Sequence, residues 1–174
     1  SLQQVLEEDG FQHASVMITN VLRDEVTGEV DLTVLVVQGR RFVVNEVRLE
    51  AVDGATTNSV RTLEYPARPN YSRRWVQDLG QSLALPRIKE GYPDAKVHFS
   101  MLRSTTNDVV ELELLASLHL GPKVQVGEVR FLGEKKTKES TMRGVVPLAG
   151  GEPLDRTAAE AGRFRLAHLG VFRR

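Results

Sequence analysis

Four histidines are the side chains of this 174-residue chain that could act as metal ligands or general bases: His13, His98, His119 and His168. They are scattered, and none lies in HExxH, the spacing that puts two histidines on one helix face around zinc. The carboxylates form no pair typical of glycoside hydrolysis, and no GxxxxGK[ST] loop is available for a phosphate. We therefore expect surface or packing roles for the histidines, and no catalytic, cofactor-binding or metal site.

Charge and cysteine content restrict the function class further. The 23 basic side chains equal the 23 acidic ones, so no overall positive field favours nucleic acid. Cysteine is absent, which excludes disulfides and thiolate zinc sites. No apolar run approaches the roughly 20 residues of a membrane helix. The first residues, SLQQVLEEDG, read as part of an amphipathic helix, so we expect a piece excised from a longer protein.

The first part of the chain predicts a helix end, a hairpin and a further strand. Residues 2–9 are helical in pattern and end at Gly10, as a helix C-terminal glycine would. Alternating apolar stretches at 14–22 and 30–37 flank the turn DEVTGE and predict a β-hairpin. A third strand is expected at 42–50. The side chains expected on one side of the hairpin strands are Val16, Ile18 and Asn20, and then Val30, Leu32, Val34 and Val36.

Two helices are expected next. Asn58 or Ser59 could cap a short helix that reaches about Tyr65. Ser72 could cap a long helix with an apolar stripe that includes Trp75, which is expected to pack in the core. Pro86 should kink or break that helix before it ends at Gly91.

The pattern then restarts. A hairpin is expected from strands at about 95–104 and 109–120, then a strand at 123–133 and helices at 138–146 and 154–170. In the second hairpin strand the side chains expected to point inward are Val110, Leu112, Leu114 and Ala116.

The chain repeats itself at an offset that changes by a single residue in the hairpin turn. GYPDAKV at 91–97 follows GFQHASV at 10–16 by 81 residues. The sequence EVR at 128–130 repeats EVR at 46–48 after 82 residues, and Gly121 repeats Gly39 after 82. A fixed offset with matching elements predicts tandem modules. We expect the C-terminal half of one module at 1–39, a complete module at 40–120 and the N-terminal part of another at 121–174.

The predicted fold class is α+β. Each module would run β-α-α-β-β, with a three-stranded mixed sheet covered on one face by two helices. The helical crossover between the first strand and the hairpin makes at least one strand pairing parallel. So small a sheet also keeps an unpaired edge strand that can accept another strand.

The stretches GFQHASV, GYPDAKV, VQGRRFVVNEVRLEAVDG, HLGPKVQVGEVRFLGEKKT and LAGGEPLDRTAAEAGRFRLAHLGVF carry a family resemblance. In this order they resemble the polypeptide-transport-associated (POTRA) domains of the outer-membrane β-barrel assembly and translocation family, over essentially the whole chain. Two departures are Asn70, in a region that usually holds a glycine, and Pro86 within the long helix.

The resemblance implies a binding segment without enzymatic activity or cofactors. It would lie in the periplasm of a Gram-negative bacterium as part of an outer-membrane protein, with a C-terminal barrel in the parent chain. Its partners would be unfolded outer-membrane proteins and accessory periplasmic lipoproteins or chaperones, and not nucleic acid. By the family's usual layout the first hairpin strand is the sheet edge, which implies a peptide-binding strand at Val97, His98, Phe99, Ser100, Met101 and Leu102. The counterpart in the first hairpin is 16–21.

Two alternatives stay open on the sequence. One is a POTRA segment of a two-partner secretion transporter. The other is a single-pass envelope or cell-division scaffold, which the repeat disfavours because such proteins usually carry one copy.

Overall fold

The computed structural model describes residues 1–53, 56–65, 67–132 and 138–168. The elements of this part of the chain are α1 (Leu2–Glu8), β1 (Phe11–Gln12), β2 (Ser15–Arg23), β3 (Val30–Val37), β4 (Arg40–Asp53), β5 (Thr56–Glu64), α2 (Arg73–Lys89), β6 (Lys96–Thr106), β7 (Val109–His119), α3 (Glu139–Val145) and α4 (Arg156–His168). They form a two-stranded sheet, a five-stranded sheet and helices, which confirms the predicted α+β class.

Strands β2 and β3 form the smaller sheet, as the hairpin prediction required. They pair antiparallel from Ser15↔Val37 to Arg23↔Val30, with a register shift between Ile18 and Asn20. The shift moves Asn20 off the side occupied by Ile18, so the expected alternation stops there. Most residues of both strands are exposed, including all of β3.

The larger sheet has the strand order β1-β4-β7-β6, and β5 pairs with β4. β1 pairs antiparallel with the first residues of β4. Side-chain contacts from β4 to β7 advance together, from Asn45–Glu111 to Arg48–Glu113, which is the order of a parallel pair. β6 and β7 are separated by two residues, which suits an antiparallel hairpin. The sheet is therefore mixed.

The inward alternation of β7 is confirmed. Its buried side chains are Val110, Leu112, Leu114, Ala116 and Leu118, and the residues between them are half-buried. On β4 the buried side chains are Val43, Val44 and Val47. Removing these branched apolar groups from water is the main favourable term in the stability of the sheet.

The short helix expected from Asn58 or Ser59 to Tyr65 is wrong. Asn58 and Ser59 belong to β5, which ends at Glu64, just before Tyr65, and pairs with β4. The stretch TTNSVRTLE is rich in β-branched residues, which are stiff at χ1 and fit a strand better than a helix. The described part of residues 40–120, which were expected to form one complete module, therefore has four strands and one long helix, where three strands and two helices were expected.

Helix α2 is confirmed, but the expected break at Pro86 is not observed. The helix runs to Lys89 with Pro86 inside it. Ser72 caps it, since the Ser72 hydroxyl accepts a hydrogen bond of 3.1 Å from the backbone N–H of Trp75. The Trp75 ring contacts the Tyr65 ring edge to face at 5.6 Å and is half-buried, so Trp75 packs on a neighbouring aromatic side chain at the margin of the core that was expected to hold it.

The C-terminal part contains both expected helices, α3 and α4. Gly162 of α4 is buried, and a Cβ there would lie 3.2 Å from the Cα of Val146, so the helix packs closely on the residues that follow α3. The expected strand at 123–133 is not formed within the described residues 123–132. Those residues carry an isolated antiparallel bridge between Gln125 and Pro153.

The chain divides into two compact units. One comprises residues 1–49, 61–79 and 99–116, and its core includes Val44, Val47 and Leu112. The other comprises 50–60, 80–98 and 117–174, and its buried side chains include Ala84 and Met142.

Candidate functional site

The six residues expected to form a binding edge lie on one strand. Val97 to Leu102 fall inside β6, which is the last strand in the order of the larger sheet. In the described part of the chain, β7 is the strand neighbour of β6. Met101 is 55% exposed and Leu102 is 45% exposed, whereas Val97 and Phe99 are half-buried. The strand therefore presents two adjacent apolar side chains beside a backbone edge.

The side of β4 that faces away from β7 is closed at its start by backbone hydrogen bonds. Phe42 donates to Gly10 O at 2.8 Å, and Val44 donates to Pro69 O at 2.9 Å. The carbonyl oxygen of Phe42 accepts from the N–H of Tyr71 at 2.9 Å. β5 pairs with β4 as well. This side of β4 is therefore occupied, whereas no other described strand pairs with the outer side of β6.

Strand β6 carries little of the protection that edge strands usually have. It contains no proline, and its charged residues are Lys96 and Arg103. The Arg103 guanidinium is 3.7 Å from the Glu113 carboxylate on β7, so part of its charge is compensated within the hairpin. The central residues 97–102 carry no lysine, arginine, aspartate or glutamate. Such an edge is open to pairing with another chain.

The histidines do not assemble into a site. His98 and His119 contact each other edge to face at 5.2 Å across β6 and β7. His168 Nδ1 lies 3.0 Å from Phe164 O within α4, and His13 takes a left-handed backbone with φ of 65°. In the described residues no group of three or more histidine, aspartate or glutamate side chains is placed to hold a metal ion.

A polar pocket of about 430 Å³ lies beside the start of β4. Its lining includes Asn45, Tyr65 and Arg68, and burial raises the pKa of Tyr65. Glu111 accepts 2.7 Å hydrogen bonds from both Asn45 and Arg68, while Asn45 Oδ1 is buried without a partner. The pocket is open to solvent, and paired charges occupy its wall. This arrangement fits a structural role at the rim of the sheet.

The turn after α1 has a specific backbone geometry. Gly10 has φ of +91°, and its carbonyl oxygen accepts from Phe42 N at 2.8 Å. A Cβ at Gly10 would lie 2.8 Å from Phe42 O and 3.1 Å from the Cβ of Asn70. The close approach and the positive φ together require glycine. Asn70, which replaces an expected glycine, accepts from the Arg41 side chain at 2.7 Å.

The same geometry recurs after α2. Gly91 has φ of +99°, and its carbonyl oxygen accepts from Val124 N at 2.8 Å. Val124 O accepts from Leu154 N at 2.9 Å, just as Phe42 O accepts from Tyr71 N. The partners in the two sets are offset by 81 to 83 residues, which is the offset of the sequence repeat. We call each set of hydrogen bonds a joint.

Residues 124–174 match the family model described as "POTRA: Surface antigen variable number repeat". This stretch begins at the residue that forms the second joint. Residues 124–174 are thus similar to that family. The resemblance read from the sequence is thereby confirmed. The two joints share their geometry. The glycine of each joint could be recognised in the sequence, whereas the bridge residues Asn70 and Pro153 carried no signal there.

The whole chain has the fold of a solved POTRA structure. It is similar to the structure titled "Crystal structure of Haemophilus Influenzae BamA POTRA3-5", with a TM-score of 0.57 and 17% sequence identity. The match covers 97% of this chain and 66% of that one, so this chain spans about two thirds of the length of its structural relative. The likeness shows the POTRA fold.

No curated protein is significantly similar to the chain. Among the described residues, no helix has both the length and the apolar character needed to cross a bilayer.

Proposed function

We propose that the chain is a string of POTRA modules that binds extended segments of unfolded outer-membrane proteins along the edge of β6. The modules would be those expected from the sequence, at 1–39, 40–120 and 121–174. The observation that carries the proposal is the open side of β6 at the end of the strand order of a POTRA fold. The two joints, with the same hydrogen bonds at the repeat offset, support the modular division.

The physical mode is β-augmentation. An extended peptide would add a strand to β6, and main-chain hydrogen bonds would provide most of the affinity. This recognition depends little on sequence, which suits a receptor for many different clients. Met101 and Leu102 would provide apolar contacts for alternate side chains of the peptide, because both are exposed on the edge strand.

The proposed partners and location follow from the fold likeness. The parent protein would be a periplasmic, membrane-attached assembly factor of a Gram-negative outer membrane, and accessory lipoproteins or chaperones would be further partners. The structural relative is a segment of BamA, which favours assembly over two-partner secretion. The proposed role is binding, without catalysis.

A proline scan of β6 tests the proposal. Adjacent residues of an antiparallel edge strand direct their N–H groups alternately to the neighbour strand and to the free edge. We therefore compare Ser100→Pro with Met101→Pro. In one of them the proline removes an N–H on the free edge, so the pairing with β7 is kept. Circular dichroism identifies this variant as the one that retains the native strand content. That variant should bind a labelled ten-residue peptide of alternating apolar and polar residues at least about fivefold more weakly, from the loss of one hydrogen bond of about 1 kcal/mol.

The matched control is a proline change outside the strands. Asp108→Pro lies in the β6–β7 connection, outside both strands, and should leave peptide binding unchanged if the hairpin still forms. Fluorescence anisotropy measures the affinity in each case. Unchanged affinity in the folded edge variant would contradict binding along β6.

A further inference from the structure

The fixed charges of strand β6 are all positive and flank an uncharged centre. The strand has the sequence KVHFSMLRSTT, which contains Lys96 and Arg103 and neither aspartate nor glutamate. The residues between them, 97–102, carry no fixed charge. At about 3.3 Å per residue, the seven-residue step from Lys96 to Arg103 spans about 23 Å of the edge. The edge therefore offers two cations at a defined separation.

Lys96 is available to a partner. Its side chain is exposed, and it forms no ion pair with the residues that the structure describes. An ammonium group has three hydrogen-bond donors and no acceptor, so a carboxylate is its complementary partner. A peptide strand beside β6 would bring one of its side chains to this ammonium group if that side chain were directly opposite.

Arg103 is paired only loosely within the hairpin. Its guanidinium lies 3.7 Å from the Glu113 carboxylate, which is longer than a hydrogen bond, and its side chain is 71% exposed. The Glu113 carboxylate is also shared, since the Arg48 guanidinium lies 3.8 Å from its other oxygen. The N–H donors of Arg103 therefore remain available for a second carboxylate.

The spacing of the two cations determines which peptide residues can contact both. Lys96 and Arg103 are an odd number of residues apart, so their side chains point to opposite faces of a regular strand. Directly opposite residues of neighbouring strands lie on the same face. The peptide residues opposite Lys96 and Arg103 are then also seven positions apart, whether the peptide runs parallel or antiparallel to β6.

Acidic residues flank the edge and limit where peptide carboxylates fit. Asp94 lies two residues before β6, and Asp108 lies two residues after it. Carboxylates placed farther out along a peptide would meet these like charges, which lowers the affinity. A spacing of seven residues is therefore favoured over a longer one.

We propose that β6 selects extended peptide segments that carry acidic residues seven positions apart, on either side of an uncharged centre. The inference rests on the client binding proposed above and names the class of segment bound at that edge. The two carboxylates contact Lys96 and Arg103, while main-chain hydrogen bonds hold the centre of the peptide along 97–102. Segments with lysine or arginine at the same positions are disfavoured, because like charges directly opposite each other repel.

A set of peptides tests this selection on the unmodified chain. Three labelled ten-residue peptides share one alternating apolar and polar pattern and carry glutamate, glutamine or lysine at positions 2 and 9. In about 0.05 M NaCl, fluorescence anisotropy should give the glutamate peptide the lowest Kd and the lysine peptide the highest. Each step in this order should be about fivefold, since one cross-strand charge pair contributes up to about that factor.

Two further measurements separate position from net charge. A peptide with glutamates at positions 2 and 5 can match one cation only, so its Kd should lie between those of the glutamine and glutamate peptides. Raising NaCl to about 0.5 M should remove most of the differences among the peptides and leave the glutamine peptide nearly unaffected.

A charge reversal tests the role of Lys96 directly. Lys96→Glu changes an exposed residue, and it should weaken binding of the glutamate peptide about fivefold or more. Of two mixed peptides, one with lysine at position 2 and glutamate at 9 and one with the reverse, a single one should regain that affinity. The matched control is Arg74→Glu on α2, which makes the same change in net charge outside β6 and should keep the original order.

Three results would overturn the proposal. The first is equal affinity for the glutamate and lysine peptides at low salt. The second is a peptide with glutamates at positions 2 and 5 that binds as tightly as the one with glutamates at 2 and 9. The third is an Arg74→Glu variant that changes the order as Lys96→Glu does, since this would indicate a general effect of net charge.

Failure of the charge selection is distinguishable from failure of client binding. If the glutamine peptide binds along β6 without any preference for flanking glutamates, the client binding stands and the selection is wrong. If none of the peptides binds, the proposed client binding is wrong, and the selection that rests on it is wrong as well.

Discussion

The backbone N–H of Phe42 donates a 2.8 Å hydrogen bond to the carbonyl oxygen of Gly10, tying the turn after α1 to the start of β4. Val124 and Gly91 make the same bond at the same length. The bond joins backbone atoms only, and the glycine adopts a positive φ to make it. Each joint therefore depends on glycine at one position.

Replacing the joint glycines should destabilise the protein. Gly91→Ala would place a Cβ 2.9 Å from the Cβ of Pro153 and 3.0 Å from Val124 O, at φ of +99°. The left-handed strain and the contact together should lower the free energy of unfolding by at least about 2 kcal/mol. Urea denaturation measures this loss, and Gly10→Ala should behave alike.

Gly144→Ala is the matched control for that prediction. Gly144 lies in α3, and nothing is within 4 Å of a Cβ built there. Alanine should stabilise the helix by up to about 1 kcal/mol. If Gly10→Ala, Gly91→Ala and Gly144→Ala lowered the free energy of unfolding equally, the joint geometry would not be the cause of the loss.

Repeat-equivalent leucines should differ in their contribution to stability. Leu114 is 2% exposed on β7, and Leu32 is 55% exposed at the equivalent position of β3. Leu114→Ala should cost about 2–5 kcal/mol, because it removes buried methyl groups and leaves a cavity. Leu32→Ala should cost less than about 1 kcal/mol when the chain is dilute. Comparable losses measured by denaturation at low protein concentration would contradict the assignment of Leu32 to an uncovered face.

The cap of α4 should make stability depend on pH. Asp155 Oδ1 accepts from Ala158 N at 3.0 Å and from the Thr157 hydroxyl at 2.7 Å. Burial acts to raise the pKa of Asp155, but the hydrogen bonds from Thr157 and Ala158 outweigh it and hold the pKa below its usual value. The stabilisation is thus fully present above the unfolded pKa of about 3.9 and is lost as pH falls through the folded pKa.

Asp155→Ala should lower the free energy of unfolding by about 1 kcal/mol near neutral pH and by less at acid pH. Asp155→Asn keeps an oxygen acceptor without a titrating group, so it serves as the control. Thermal unfolding from pH 7 to pH 3 should show the difference between the native protein and the asparagine variant shrinking as pH falls. A difference that stays constant over this range would rule out the aspartate as its source.

Removing the proline within α2 should stabilise the protein. Pro86 cannot donate a backbone hydrogen bond, and its ring crowds the preceding turn, yet the helix runs to Lys89. Pro86→Ala should raise the free energy of unfolding by about 1 kcal/mol or more. The control is Leu85→Ala, at a residue that is 40% exposed, which should give no such gain. A lower stability for Pro86→Ala would mean that the ring contributes packing that the helix requires.

Alternation of apolar residues predicted the hairpins and the inward face of β7 because a strand's period of two is visible in sequence. It could not predict β5. There Asn58 and Ser59 resemble helix caps, but the β-branched residues around them belong to a strand that pairs with β4. Pairing with the preceding strand β4 therefore decides the choice, and the cap-like residues do not.

The candidate edge illustrates the same limit. Sequence placed Val97 to Leu102 on a strand, and the strand order places that strand at the end of the sheet. The register shift at Ile18 and the bond from Arg41 to Asn70 had no local signal, because each depends on a partner brought near by the fold. Open edges and uncovered faces are properties of assembled strands, so binding by them stays a prediction until measured.

The backbone joints also affect how far the amino-acid sequence can change while the fold is kept. Since the bonds at Gly10 and Gly91 use no side chain of Phe42 or Val124, mutation can exchange these side chains without altering the path of the main chain. Drift over many generations would then erase sequence likeness faster than architecture. An identity of 17% alongside a TM-score of 0.57 is the outcome that such a joint allows.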